Sequence, residues 1–253
     1  MKSQKKNRIP GKLFLAAAAV ALLLSCLGLI VFAAEEPEWQ TLTDGGTLQS
    51  GYYRLESDVT LTKNITIGSK AKVTIDLNGY TLTGTGTGSV ITASSGSTVI
   101  IDDLSQAKAG IITGGVATNG GAIYAPEASV ILNNGTLCGN RATSNGGAIY
   151  AKNLTINGGV IGDIDAVVHW NDGTTTKYPS LPTKTEIYIK SISAEQGNAA
   201  TKNGGAAYIS GTLQLNGGVI VGNQVEGQGG AFFFASKARA EMNRGIVYGN
   251  VAA

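Results

Sequence analysis

The sequence predicts an all-β chain: a single-stranded right-handed parallel β-helix, a solenoid with coils of about 25 residues. Three observations predict it. Two short phrases recur in strict alternation. Of 253 residues 36 are Gly and only 14% are charged, while Thr, Val and Ile are plentiful, which favours short strands and tight turns. Beyond the first 35 residues no long segment carries the 3.6-residue periodicity of a helix.

The chain opens with a leader. Lys2, Lys5, Lys6, Arg8 and Lys12 precede an apolar run from Leu13 to Phe32, and Val31-Phe32-Ala33 sets small residues at −3 and −1 for a cut after Ala33. A basic region, an apolar region and a small-residue site make 1–33 a signal peptide. The apolar run is also long enough to act as an anchor if uncleaved, the only membrane contact the sequence suggests. The long basic region resembles Gram-positive leaders. Leu23-Leu24-Ser25-Cys26 loosely resembles a lipobox, but the apolar run continues past it. Residues 34–48 are read as an N-terminal linker and cap, covering the open end of the solenoid that occupies 49–253.

The opening coils are loose. Tyr52 to Leu61, Asn64 to Ile67, Lys72 to Thr83 and Ser89 to Asp103 are strand-like runs divided by Gly and Asn turns. The repeats then become explicit. Gly120-Gly121-Ala122-Ile123-Tyr124-Ala125 returns from Gly146, Gly204 and Gly229, at spacings of 26, 58 and 25. Asn133-Asn134-Gly135-Thr136-Leu137-Cys138-Gly139-Asn140 returns from Asn216 and Asn243, and one residue shorter from Asn157.

Stacked coils place like residues in columns about 4.8 Å apart. Ile123, Ile149, Ala207 and Phe232 form one column, and Tyr124, Tyr150, Tyr208 and Phe233 its neighbour. One of the two faces inward, because strand side chains alternate; the sequence leaves open which. Asn140, Asn223 and Asn250 form a third column, expected to be an asparagine ladder at a turn.

The spacing of 58 fits two periods, or one period with an insertion at 163–196 that is rich in Asp and Pro. Long insertions often carry function. The chain stops three residues after a repeat, and it is expected to continue beyond Ala253.

Charge narrows the function classes. Five of the 19 basic residues and none of the 17 acidic ones precede Glu35, leaving 14 against 17, formally −3. No basic stripe suggests nucleic acid. Cys138 is the one cysteine after the leader, so no intrachain disulfide forms there, and His169 is the one histidine.

The alternation of Gly-x-[Ile/Val/Leu]-x-Gly-Asn with Gly-Gly-Ala-[Ile/Phe]-[Tyr/Phe] resembles repeats of bacterial surface proteins of the pectin-lyase-like superfamily. It is most similar to polymorphic outer-membrane-protein repeats over Gly110 to Ala253, with Leu137, Ile220 and Val247 where those repeats carry Phe. Members of that group act as adhesins with a C-terminal membrane barrel, and the resemblance implies the fold and, by analogy, adhesion.

Enzymes of this fold cleave polysaccharides, which requires converging carboxyls or acidic Ca²⁺ ligands beside an Arg or Lys. Asp102-Asp103 is the most visible acidic pair; neighbours on a strand diverge, and a corner would be needed to bring them together. Asp163, Asp165 and Asp172 are the candidate Ca²⁺ ligands, on spacing alone. Tyr124, Tyr150, Tyr208 and Phe233 would stack on sugars if they face out; packing of like residues between coils is the favoured explanation. No catalytic residue or cofactor is assigned. The expected function is a non-catalytic secreted or cell-surface β-helix, bacterial and Gram-positive in type, acting as an adhesive surface or stalk toward glycans or cell-surface proteins. A carbohydrate-active enzyme, lyase or glycoside hydrolase, is the second reading. Three converging acids on an outer face would favour it.

Overall fold

Each Gly- or Asn-bounded apolar run forms a short strand, and the runs pair with their counterparts one repeat away. A computed structural model describes residues 37–163, 165, 167–170, 174–177, 189–193 and 196–253. The leader 1–33 lies outside the described residues. Contacts divide the chain into Met1–Pro37 and Glu38–Ala253. Among the described residues there is no helix.

Among the described residues of Glu38–Ala253 there are three parallel sheets and one three-stranded antiparallel sheet; the chain alternates between the first two parallel sheets up to Thr113 and visits all three in rotation from Val116 on. The largest has 12 strands in two rows. Its leading row runs through Gly46–Leu48, Ile65–Ile67 and Ile91–Ala93. It continues through the first halves of Ile123–Leu132, Ile149–Ile156 and Ala207–Leu215, and ends in Phe232–Phe234. The trailing row holds Trp39–Thr41, Gly51–Arg54, Lys72–Asp76 and Thr98–Asp102, the second halves of the same three long strands, and Arg239–Met242. A second sheet stacks seven strands from Val59–Thr60 to Ile246–Tyr248. A third stacks five, beginning with Val116–Asn119 and Arg141–Asn145.

Register follows the repeats. Ile123, Tyr124 and Ala125 pair with Ile149, Tyr150 and Ala151. These pair with Ala207, Tyr208 and Ile209, which pair with Phe232, Phe233 and Phe234. Ile149 thus meets Ala207 across 58 residues, so one circuit with an insertion accounts for that spacing. Within the insertion, Val167–Trp170 pairs antiparallel with Thr175–Lys177 and with Ile189–Ser193. Trp39–Thr41 and Gly46–Leu48, grouped by sequence with the N-terminal cap, pair in parallel with Tyr52 to Arg54 and Ile65 to Ile67.

The columns that face inward are the aliphatic ones. Ile65, Ile91, Ile123, Ile149 and Ala207 are fully buried in one core, with Val73, Val99, Val130, Leu154 and Leu213 from the trailing row and Leu82, Ile112, Leu137, Ile161 and Ile220 from the second sheet. Burying each Ile or Leu contributes about 1.5–3 kcal/mol, so the stack is held along its whole length rather than at one centre.

The Gly-Gly pair before the leading strand has a steric cause. Gly120, Gly146, Gly204 and Gly229 have φ between +58° and +74°, where a side chain is strained. The second glycine is excluded by space: a Cβ on Gly147 would lie 2.2 Å from the Gly205 carbonyl oxygen, and one on Gly205 2.3 Å from that of Gly230.

Candidate functional site

Inward-facing Ile123 and Ile149 force their neighbours outward. Tyr124, Tyr150, Tyr208 and Phe233 therefore stand half-buried on the outer wall of the 12-stranded sheet. Tyr150 and Tyr208 are stacked at 4.6 Å and 8°, and Tyr208 and Phe233 at 5.3 Å and 20°. Tyr124 breaks the series, tilted 50° from Tyr150 at 5.5 Å. Burial first, then the neighbouring hydroxyls of Tyr208 and Tyr124, push the Tyr150 phenol above its ordinary value. Beyond Tyr124 the column continues as Thr92 and Thr66.

At that change from Tyr to Thr the surface opens into a cleft of about 610 Å³. Thr92 and Tyr124 line it from the leading row, and Val116, Thr118, Asn119 and Thr143 from the third sheet. Val116–Asn119 is the first strand of that sheet. Its outer edge meets Gly88 in an isolated antiparallel bridge to Val116. The volume lies in the range of small-molecule sites.

Three ladders of side-chain amides run along the stack. In the buried one, Asn140 Nδ2 donates to Asn198 Oδ1 at 3.1 Å, Asn198 Nδ2 to Asn223 Oδ1 at 2.9 Å, and Asn223 Nδ2 to Asn250 Oδ1 at 2.7 Å. Asn198 is the rung that the sequence reading missed: it follows the insertion, and its Gly197-Asn198 pair was the available signal. A second ladder runs on the surface, with Asn157 donating to Asn133, Asn216 to Asn157 and Asn243 to Asn216 at 2.9–3.0 Å. In the third, Asn203 Nδ2 donates to Asn145 Oδ1 at 2.8 Å and Asn145 Nδ2 to Asn119 Oδ1 at 3.0 Å.

The acidic residues are engaged in turns. Asp76 is fully buried. Its Oδ1 accepts the amides of Asn78 and Leu104, each at 2.9 Å, and its Oδ2 accepts Arg54 Nε at 2.7 Å. Arg54 also covers the Trp39 ring, with Cζ 4.4 Å from its centroid. Stacking brings Arg54 to a carboxylate 22 residues away in the chain. Asp102 accepts the side-chain amides of Asn133 and Asn134 at 3.1 and 2.9 Å. Asp103, fully buried, accepts the amides of Gly79, Ser105 and Gly110 at 2.9, 3.1 and 2.6 Å. Burial alone would raise the Asp103 carboxyl, but the bonds from Ser105, Gly110 and Gly79 outweigh it and hold the group below its ordinary value. The corner does gather Asp76, Asp102, Asp103 and Arg54, yet two of its carboxylates are buried and all three serve as hydrogen-bond acceptors for the protein itself.

Asp163 sits at the neck of the insertion, nearly buried. Its Oδ1 accepts the Asp165 amide at 2.9 Å and its Oδ2 the Gln196 amide at 3.1 Å. Asp165 is exposed, and Asp172 lies outside the described residues. Among the described residues no three His, Cys, Asp or Glu side chains group to hold a metal ion. Cys138 is buried. Burial, then the Asp163 carboxylate, push its thiol up to about 11, so it stays protonated at neutral pH and is a poor nucleophile. Its Sγ donates to Gln196 Oε1 at 3.7 Å.

Comparison with known proteins finds no matching family model, no similar curated protein and no similar solved structure.

Proposed function

We propose that this chain is a single right-handed parallel β-helix of the pectin-lyase-like kind, carried out of a bacterial cell by its leader. Its mature part then acts as a non-catalytic surface that adheres to glycans or cell-surface proteins. The rotation of the chain through three parallel sheets supports the β-helix. The adhesive reading rests on one observation above the rest: the outward tyrosine stack runs into a cleft lined by hydroxyl and amide groups with no charged side chain. Aromatic rings with a few convergent polar groups are what carbohydrate recognition uses. The second reading, a polysaccharide lyase or hydrolase, draws on the corner of Asp76, Asp102, Asp103 and Arg54. It is the weaker one, because a general acid or a metal ligand needs a free carboxyl atom aimed at substrate, and these oxygens accept turn amides and Arg54.

The experiment is incubation of the intact protein with pectin, polygalacturonate and neutral plant and microbial glycans. Retention of the protein on one or more immobilised glycans, with no new reducing or unsaturated ends, is the expected result. Release of either kind of end would overturn the non-catalytic reading in favour of the enzyme.

A further inference from the structure

The cleft beside Tyr124 has a recognisable chemistry. We propose that it binds an uncharged sugar residue of a neutral polysaccharide, with the sugar ring against the free side of Tyr124 and one of its oxygens on Asn119 Nδ2. This deepens, and rests on, the glycan-adhesive reading above.

Two independent features carry it. The first is the interrupted aromatic column. Tyr150, Tyr208 and Phe233 fill each other's faces at stacking distance. Tyr124 has a partner on one side alone, because its register partner on the other side is Thr92. One ring is missing from the column at that point, and the cleft lies there. A pyranose ring has the thickness and the apolar C–H face to take its place.

The second is the polarity of the third amide ladder. Each amide donates toward the Asn119 end, from Asn203 to Asn145 and from Asn145 to Asn119. The backbone amide of Asn145 also donates to Asn119 Oδ1, at 3.2 Å. The Asn119 oxygen is thus fully used. Among the described residues its Nδ2 has no acceptor and no side-chain nitrogen or oxygen is left buried without a partner, so this group reaches solvent, and Asn119 lines the cleft. Aligned amides polarise one another, which makes the terminal N–H a good donor to a hydroxyl or ring oxygen. Thr92, Thr118 and Thr143 add hydroxyls that can both donate and accept. The lining holds no Lys or Arg to pair with a uronate or a sulfate, which selects against acidic glycans.

The test uses calorimetric titration of the intact protein with neutral oligosaccharides (gluco-, manno- and xylo-hexaoses) and with an oligogalacturonate of equal length. Binding of at least one neutral oligosaccharide, at least tenfold tighter than the oligogalacturonate, is expected. Three variants locate it. Tyr124→Ala removes the ring. Asn119→Asp keeps an acceptor for Asn145 and turns the cleft donor into an acceptor. Thr92→Tyr extends the column into the cleft, and is expected to keep or raise the thermal midpoint while blocking the ligand. Each should weaken binding at least tenfold, while Met242→Ala, at an exposed side chain of the trailing row outside the tyrosine stack, changes it less than threefold. Neutral binding that survives Asn119→Asp and Thr92→Tyr would overturn this site and leave the adhesive reading standing. Preference for the oligogalacturonate would overturn the neutral class. Failure of every glycan to bind would remove the glycan reading and this site together.

Discussion

Asn198 and Asp103 show what a single residue does in a stack of circuits. Asn198 lies 58 residues from Asn140, the rung before it. It accepts from Asn140, donates to Asn223, and also donates to the Leu137 carbonyl at 2.8 Å. A buried amide so placed closes corners that backbone bonds leave open, and leaving such a group unpaired costs about 1–3 kcal/mol. Asp103 does the same for the turn around Gly79, Ser105 and Gly110. Asp44 does so at the surface, where the hydroxyl and amide of Thr62 and the amide of Gly45 lower its carboxyl to about 2. Both groups ionise more readily folded than unfolded. Their contribution to stability is therefore complete above the ordinary value of 3.8, and it is lost as pH falls through the folded values. The thermal midpoint should decline between about pH 4 and pH 2. Asp103→Asn should lower the midpoint at pH 7, because its amide nitrogen would confront a backbone N–H, and should shallow the decline. An unchanged acid slope in that variant, followed by circular dichroism, would refute the assignment.

At the scale of the strand, the Gly-Gly pair sets the geometry of each entry into the 12-stranded sheet. The first glycine supplies positive φ and the second lets one circuit lie directly on the next. Gly147→Ala places a methyl group 2.2 Å from the Gly205 carbonyl oxygen, so the circuits must part there. Overpacking of this kind costs about 1–3 kcal/mol, read as a lower urea midpoint. Ala148→Gly serves as a control: it removes a buried methyl from the same segment without forcing the circuits apart. Wild-type stability in Gly147→Ala would mean that the close approach is not rigid. The same register explains the aromatic column. Ile and Tyr are adjacent in the phrase, so one faces the core and the other faces out, and pairing brings each Tyr over the next.

At the scale of the molecule, each repeat pairs in parallel with the one before and the one after, an arrangement that makes stability close to a sum over neighbours. The repeats on either side of residues 164–195 pair directly with each other. Ile149 pairs directly with Ala207, Gly139 donates to the Gln196 carbonyl at 2.7 Å, and Asp163 accepts the Gln196 amide. The chain therefore leaves and returns at adjacent points. Replacing 164–195 with a short Gly-Ser link should leave the thermal midpoint within about 4 °C of the full chain. A larger loss, with the circular dichroism of the rest changed, would show that the insertion is part of the scaffold.

Periodicity explains how much could be read beforehand. A repeat phrase fixes which residues stack, so the sequence by itself determined the all-β class, the parallel pairing of like phrases, the Tyr124–Tyr150–Tyr208–Phe233 column and the Asn140–Asn223–Asn250 column. Such signals are local and recur, and each strand needs no more than its own two-residue alternation. What only the tertiary structure decided depends on contacts between unlike segments. Which column faces inward follows from packing the 12-stranded and seven-stranded sheets on one core. Arg54 with Asp76, Asn198 as a ladder rung, and the burial of Asp76 and Asp103 join positions with no common phrase. The cleft beside Tyr124 exists because Thr92, where the repeat is degenerate, lies next to the first strand of another sheet. A site of that kind is a departure from the repeat, visible only once the circuits are stacked.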